Sequence, residues 1–150
     1  MTRILITGFA VVATLSLSTS AASTPTFWPW GEVWFERCSG GELGPWSFSV
    51  AWYGSTGVSG VDAGDVQEIS VDVYWEVPLG DQDPAGFGWD SNAKQFSTFV
   101  QIDSADHGES HDTAPYEVWA DFDHSAALPS LNWYPWAVTP AVDYTDCGAN

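Results

Sequence analysis

Within residues 67–79, QEISVDVYWEVPL, the two sides of an extended chain sort cleanly from Glu68 to Val77. Ile69, Val71, Val73, Trp75 and Val77 fall on one side, and Glu68, Ser70, Asp72, Tyr74 and Glu76 on the other. Successive side chains of an extended chain point to opposite faces, so only a strand sorts this stretch into one dry and one wet face. Wound as a helix, the same valines would be scattered around its circumference. The period returns in 45–53, with Trp46, Phe48, Val50 and Trp52 inward, and in 93–103, with Phe96, Thr98, Val100 and Ile102 inward. It returns again in 116–124, with Tyr116, Val118, Ala120 and Phe122 inward. Residues 32–38 supply a first strand and the proline-broken WYPWAV at 133–138 a last, edge strand. The connections at 54–65, 80–92 and 104–115 are rich in Gly, Asp and Ser, the residues of turns. No window carries a helical stripe and no segment repeats. The pattern implies an all-β fold, a single-domain antiparallel β-sandwich of jelly-roll or immunoglobulin-like kind, with about six strands and one disulfide.

The first residues read differently. Arg3 precedes the apolar run Ile4 to Leu17, and Ser20-Ala21-Ala22 offers a small-x-small cleavage site, which is the make-up of a secretory signal peptide. The run is too short and too interrupted by polar residues to span a bilayer, which takes ~20 apolar residues. Residues 1–22 are therefore set apart from the fold, and 23–150 form the domain. The expected location is secreted, periplasmic or extracellular, with no membrane insertion after cleavage. Cys38 and Cys147 lie near the two ends of that domain, and an even cysteine count in an exported chain favours a disulfide between them. The chain-entropy model assigns a loop that long about 4–5 kcal/mol.

Charge narrows the partners. Asp and Glu total 20 against three Lys plus Arg, and beyond the signal only Arg37 and Lys94 are basic. Such a surface repels phosphate backbones and anionic lipid heads, which excludes nucleic acid and peripheral membrane attachment. Cations, neutral polymers and basic protein partners stay open to it.

Two sets of acids carry chemistry in principle. Between Asp103 and His124 the chain places seven carboxylates and three histidines with no Lys or Arg. Crowded carboxylates call for a cation, and Asp106, His111, Asp112 and Asp123 are the alternative ligands for Ca²⁺, the one cofactor the sequence suggests. Gly108 argues against the helix that zinc binding by His107 and His111 would need. The second set lies on outward strand positions, where Glu76 and Glu117 are the candidate pair for glycoside hydrolysis, a reaction that takes two carboxyls ~5–9 Å apart. No nucleophile elbow accompanies them, and Cys147 is expected to be bonded, so thiol catalysis is not indicated.

Ten tryptophans remain to be placed. Trp46, Trp52 and Trp75 are assigned to the core by parity. Trp34 shares parity with Cys38, which puts it beside the disulfide. Trp28 and Trp30, around Pro29, and Trp133 and Trp136, around Tyr134-Pro135, are expected to clasp one another over a sheet edge. Trp89 in a glycine-rich connection and Trp119 on an outward position are the functional candidates, with Tyr74 and Asp121 beside them. Planar rings next to carboxylates suit a sugar, whose C–H faces are apolar and whose rims donate hydrogen bonds. The resulting expectation is an exported binding module for a neutral carbohydrate or other cell-surface polymer. The alternatives are a small secreted glycan hydrolase using Glu76 and Glu117, and a calcium-stabilised structural or protein-interaction module.

Overall fold

The computed structural model describes residues 23–41, 44–79, 82–94, 96–104 and 107–145. Residues 1–22, Asp106 and Cys147, on which the signal peptide, one calcium ligand and one half of the disulfide were placed, lie outside them. Eight strands run β1 (Thr26–Gly41), β2 (Gly44–Ser59), β3 (Glu68–Leu79), β4 (Gln82–Lys94), β5 (Phe99–Asp103), β6 (His107–His111), β7 (Glu117–Ala127) and β8 (Trp136–Tyr144). Short 3₁₀ turns at Ala63–Asp65 and Pro129–Leu131 are the helical elements among the described residues. No helix among them is long and apolar enough to cross a membrane.

All pairings between these strands are antiparallel and make two four-stranded sheets. Sheet A has the order β1-β2-β5, with β6 pairing a different stretch of β2; sheet B has the order β4-β3-β7-β8. β2 meets β5 along Tyr53–Gly57 and β6 along Trp46–Val50, so β5 and β6 act as one interrupted edge strand. The inward faces pack on each other around Phe48, Val50, Trp52, Ile69, Trp75 and Phe122, all buried. Burying an aliphatic or aromatic side chain is worth about 1.5–3 kcal/mol, so this sheet-to-sheet layer is the main stabilising term.

Two strands go beyond the expected six, for different reasons. β4 was hidden by glycine. A Cβ on Gly88 would stand 2.7 Å from the Trp75 indole nitrogen, and one on Gly86 would stand 3.2 Å from the same ring. These inward positions are empty because the Trp75 indole fills them, and what reads as a turn is a strand shaped around its neighbour's side chain. β6, His-Gly-Glu-Ser-His, was hidden because it contributes no apolar side chain; His107 instead lays its ring on Trp52, with centroids 4.4 Å apart. Two inward assignments also fail. Tyr116 is exposed just ahead of β7, and Phe96 is exposed in a turn with φ of 58°, a left-handed conformation outside any strand.

The expected clasp of tryptophans is absent. Trp28 and Trp30 belong to β1, where they pair with Gly57 and Ser55, and Pro29 is tolerated because β1 is an edge strand. Trp136 is exposed on sheet B opposite Ser125, while Trp133 is half-buried against the core. Thr24 and Pro25 instead line one hollow together with Leu131, Asn132 and Trp133. The parity argument for Trp34 fails too. The register with β2 shifts between Phe35 and Arg37, and this bulge turns Cys38 in against the core while Trp34 pairs with Ala51.

Candidate functional site

The outward face of sheet B collects most of the residues singled out from the sequence. Alternation along each strand selects them, and the pairing register lines them up in rows across the sheet. One row runs Trp89, Tyr74, Asp121, Pro140. The next runs Phe87, Glu76, Trp119, Val142. Beyond it Glu117 stands opposite Tyr144. On the other side of the first row comes Ser91, Asp72, Asp123, Val138. Thus the four expected ligand-binding residues, Trp89, Trp119, Tyr74 and Asp121, share one face, three of them in a single row.

The face is strongly aromatic and open. Trp89 is 74% exposed and Phe87 64%, although both sit in regular strand. Tyr74 and Trp119 meet in a tilted pair with centroids 5.6 Å apart, so one ring braces the other. The Tyr74 hydroxyl donates to Glu76 Oε2 at 3.3 Å. Desolvation, then the Glu76 charge and this hydrogen bond, raise the Tyr74 pKa, which keeps the phenol protonated as a donor. The face therefore offers ring surfaces with acceptors interleaved between them.

Glu76 and Glu117 also reach this face, one opposite Trp119 and the other two residues from it along β7, so they are diagonal neighbours. The carboxylates placed directly opposite each other are Asp72 and Asp123. Desolvation raises the Asp72 pKa, and the charges of Asp123 and Glu68 add to the shift. That pair went unnoticed in the sequence because only the register reveals it; the outward parity of both residues was its one available signal.

Of the alternative calcium ligands, Asp106 lies outside the described residues, and the others are spread over both sheets. His111 ends β6 in sheet A, where its Nδ1 accepts from the Thr113 backbone N–H at 3.2 Å, while Asp123 is on sheet B. Asp112 lies in the bend after β6. No group of three or more His, Cys, Asp or Glu among the described residues is arranged to hold a metal ion. His124, the third histidine of the acidic segment, faces inward and is fully buried. Its Nδ1 lies 2.8 Å from Thr56 Oγ1 of sheet A and its Nε2 2.7 Å from Thr139 Oγ1 of β8, so it ties the two sheets together. Burial lowers its pKa to about 4, against a smaller opposing effect from a hydrogen bond with the Ser55 backbone.

Compared with models of protein families, with curated proteins and with solved structures, the chain matches none.

Proposed function

We propose that this chain is an exported binding module that takes a neutral polysaccharide, or a chemically similar cell-surface polymer, on the outward face of sheet B. The observation that carries the reading is the row Trp89–Tyr74–Asp121, with Trp119 in the row beside it. Rings held on adjacent strands of a rigid sheet lose little freedom on binding, and Glu76, Asp121 and Asp123 between them accept hydrogen bonds from sugar hydroxyls. The net charge of −17 favours a neutral polymer over an anionic one. Titration of intrinsic tryptophan fluorescence with a panel of neutral polysaccharides tests it. Trp89→Ala and Trp119→Ala should each weaken binding by about tenfold, the loss of roughly 1.4 kcal/mol expected of a truncated interface ring. If no polysaccharide in the panel alters the fluorescence, the reading fails.

Glu76 and Glu117 on the same face support a second reading, hydrolysis of the bound glycan. It requires reducing ends to appear with the parent chain and not with Glu76→Gln or Glu117→Gln.

The finer features of the fold complete the reading. With β5 and β6 taken as one edge strand, the order β1-β2-β5 against β4-β3-β7-β8 favours the immunoglobulin-like alternative over a jelly roll. Cys38 is not a free thiol, and a bond to Cys147 would fasten β1 to the end of the chain. Alkylation of either cysteine before reduction would rule out that bond.

A further inference from the structure

The outward face of sheet A carries a second aromatic site, built from different residues and facing away from the first. Three rows cross it: Trp28, Gly57, Phe99; then Trp30, Ser55, Gln101; then Glu32, Tyr53, Asp103. Gly57 is what allows the first row to close. A Cβ there would lie 2.1 Å from the Trp28 ring, so the bare backbone lets the indole lean over β2 and stack on Phe99, with centroids 5.7 Å apart. In the next rows Trp30 meets Tyr53 with centroids 5.2 Å apart and ring planes 58° from parallel. The two ring pairs and Glu32 line one shallow depression of about 620 Å³. Trp28 and Trp30 still leave 41% and 48% of their surface to solvent, so ring area remains for a ligand.

The charge around these rings identifies the ligand. Glu32 and Asp103 flank Tyr53 in a single row. Among the described residues of this face, the nearest basic side chain, Arg37, stands two rows further along β1, beyond the Trp34–Ala51 row. Indole and phenol rings present negative π faces, and carboxylates beside them add to the same potential. A neutral sugar would gain from the rings but not from the field. A compact organic cation gains from both, and an alkylated ammonium gains most, because its methyl groups shed water cheaply and spread the charge over several ring faces. A bare ammonium or a metal ion would have to give up a tight hydration shell at an open site.

We propose that the depression of Trp28, Trp30, Tyr53 and Phe99, flanked by Glu32 and Asp103, binds an alkylated ammonium group, as in a choline-type head or a methylated amine. This site shares no residue with the face assigned to the polysaccharide, and it stands or falls separately.

The test is an NMR titration of the folded chain with choline, read at the indole N–H signals. The matched neutral probe is 3,3-dimethylbutan-1-ol, in which a carbon replaces the charged nitrogen of choline. Saturating shifts should appear at Trp28 and Trp30 with the cation and be about 2- to 5-fold weaker in affinity with the neutral isostere, the difference one exposed cation–π contact makes. Trp30→Ala should weaken cation binding about 3- to 30-fold. Glu32→Gln and Asp103→Asn, exposed and nearly isosteric changes, should each weaken it while leaving the melting temperature in place. Trp89→Ala should leave it unchanged. Equal affinity for cation and isostere, shifts confined to Trp89 and Trp119, or a Trp30→Ala chain that binds as the parent does would overturn the proposal.

Discussion

Acidification should strip this fold of the bridge that His124 makes between its sheets, and a His124→Gln comparison isolates that loss. Buried between Thr56 and Thr139, the imidazole titrates at about 4 rather than at 6.5, because burial disfavours its charged form. The sign follows from linkage. The unfolded chain takes up a proton near 6.5 and the folded chain does not, so the neutral bridge contributes fully above that pH and its contribution is lost as pH falls toward 4. The gap between the two values corresponds to about 3 kcal/mol. That is a large fraction of the ~5–15 kcal/mol by which domains are stable. A stability curve of the parent alone would mix this with relief of repulsion in a chain of net charge −17. The glutamine variant keeps every carboxylate and offers both threonines a neutral partner, so subtracting its curve removes the common part. Urea unfolding followed by tryptophan fluorescence, stepped from about pH 7.5 to about pH 4, gives the difference in unfolding free energy. The advantage of the parent should shrink by about 3 kcal/mol across that range. A difference that does not change with pH would mean that His124 is not held neutral by burial, and the argument would fail.

Two further outcomes follow from contacts described above. A methyl at Gly31 would stand 2.3 Å from the Phe122 ring, so Gly31→Ala should lower stability by about 1–3 kcal/mol, whereas Gly64→Ala, with nothing within 4 Å, should not; equal melting temperatures for the two variants would contradict the packing. Asp72 has a raised pKa, so its contribution is favourable only below the ordinary carboxylate value and is lost as pH rises through the folded one. Asp72→Asn should therefore raise the unfolding free energy slightly at neutral pH, by well under 1 kcal/mol in so exposed a pair, and the gain, read from urea unfolding, should vanish at about pH 3.

The strand β3 was readable because each of its inward residues is large and apolar and each outward one polar, so parity alone placed Tyr74 and Glu76. The same logic placed Trp119, since Val118 and Ala120 on either side of it are buried. It could not place Trp89. The inward positions beside that residue are filled by a ring from β3, and the glycines that make room for it carry no pattern of their own. The bulge after Phe35 defeated parity in the opposite way, because one extra residue exchanges the two faces without any change in composition. Parity does not reveal the site on sheet A, because Pro29 between Trp28 and Trp30 breaks the strand signal there. Their partners Tyr53 and Phe99 come from strands that only tertiary pairing brings alongside.

The chain visits its two sheets in turns: β1 and β2 in one, β3 and β4 in the other, then back and across again. Sheet A waits for β5 and β6, and sheet B waits for β7, whose Ala127 must find Glu68 and whose Trp119 must find Glu76. Until then each middle strand has a bare edge. Assembly of this kind is slow, in the millisecond-to-second range of domains built from distant pairings. It is also indivisible: cutting the chain anywhere between β4 and β6 leaves no piece that owns a complete sheet.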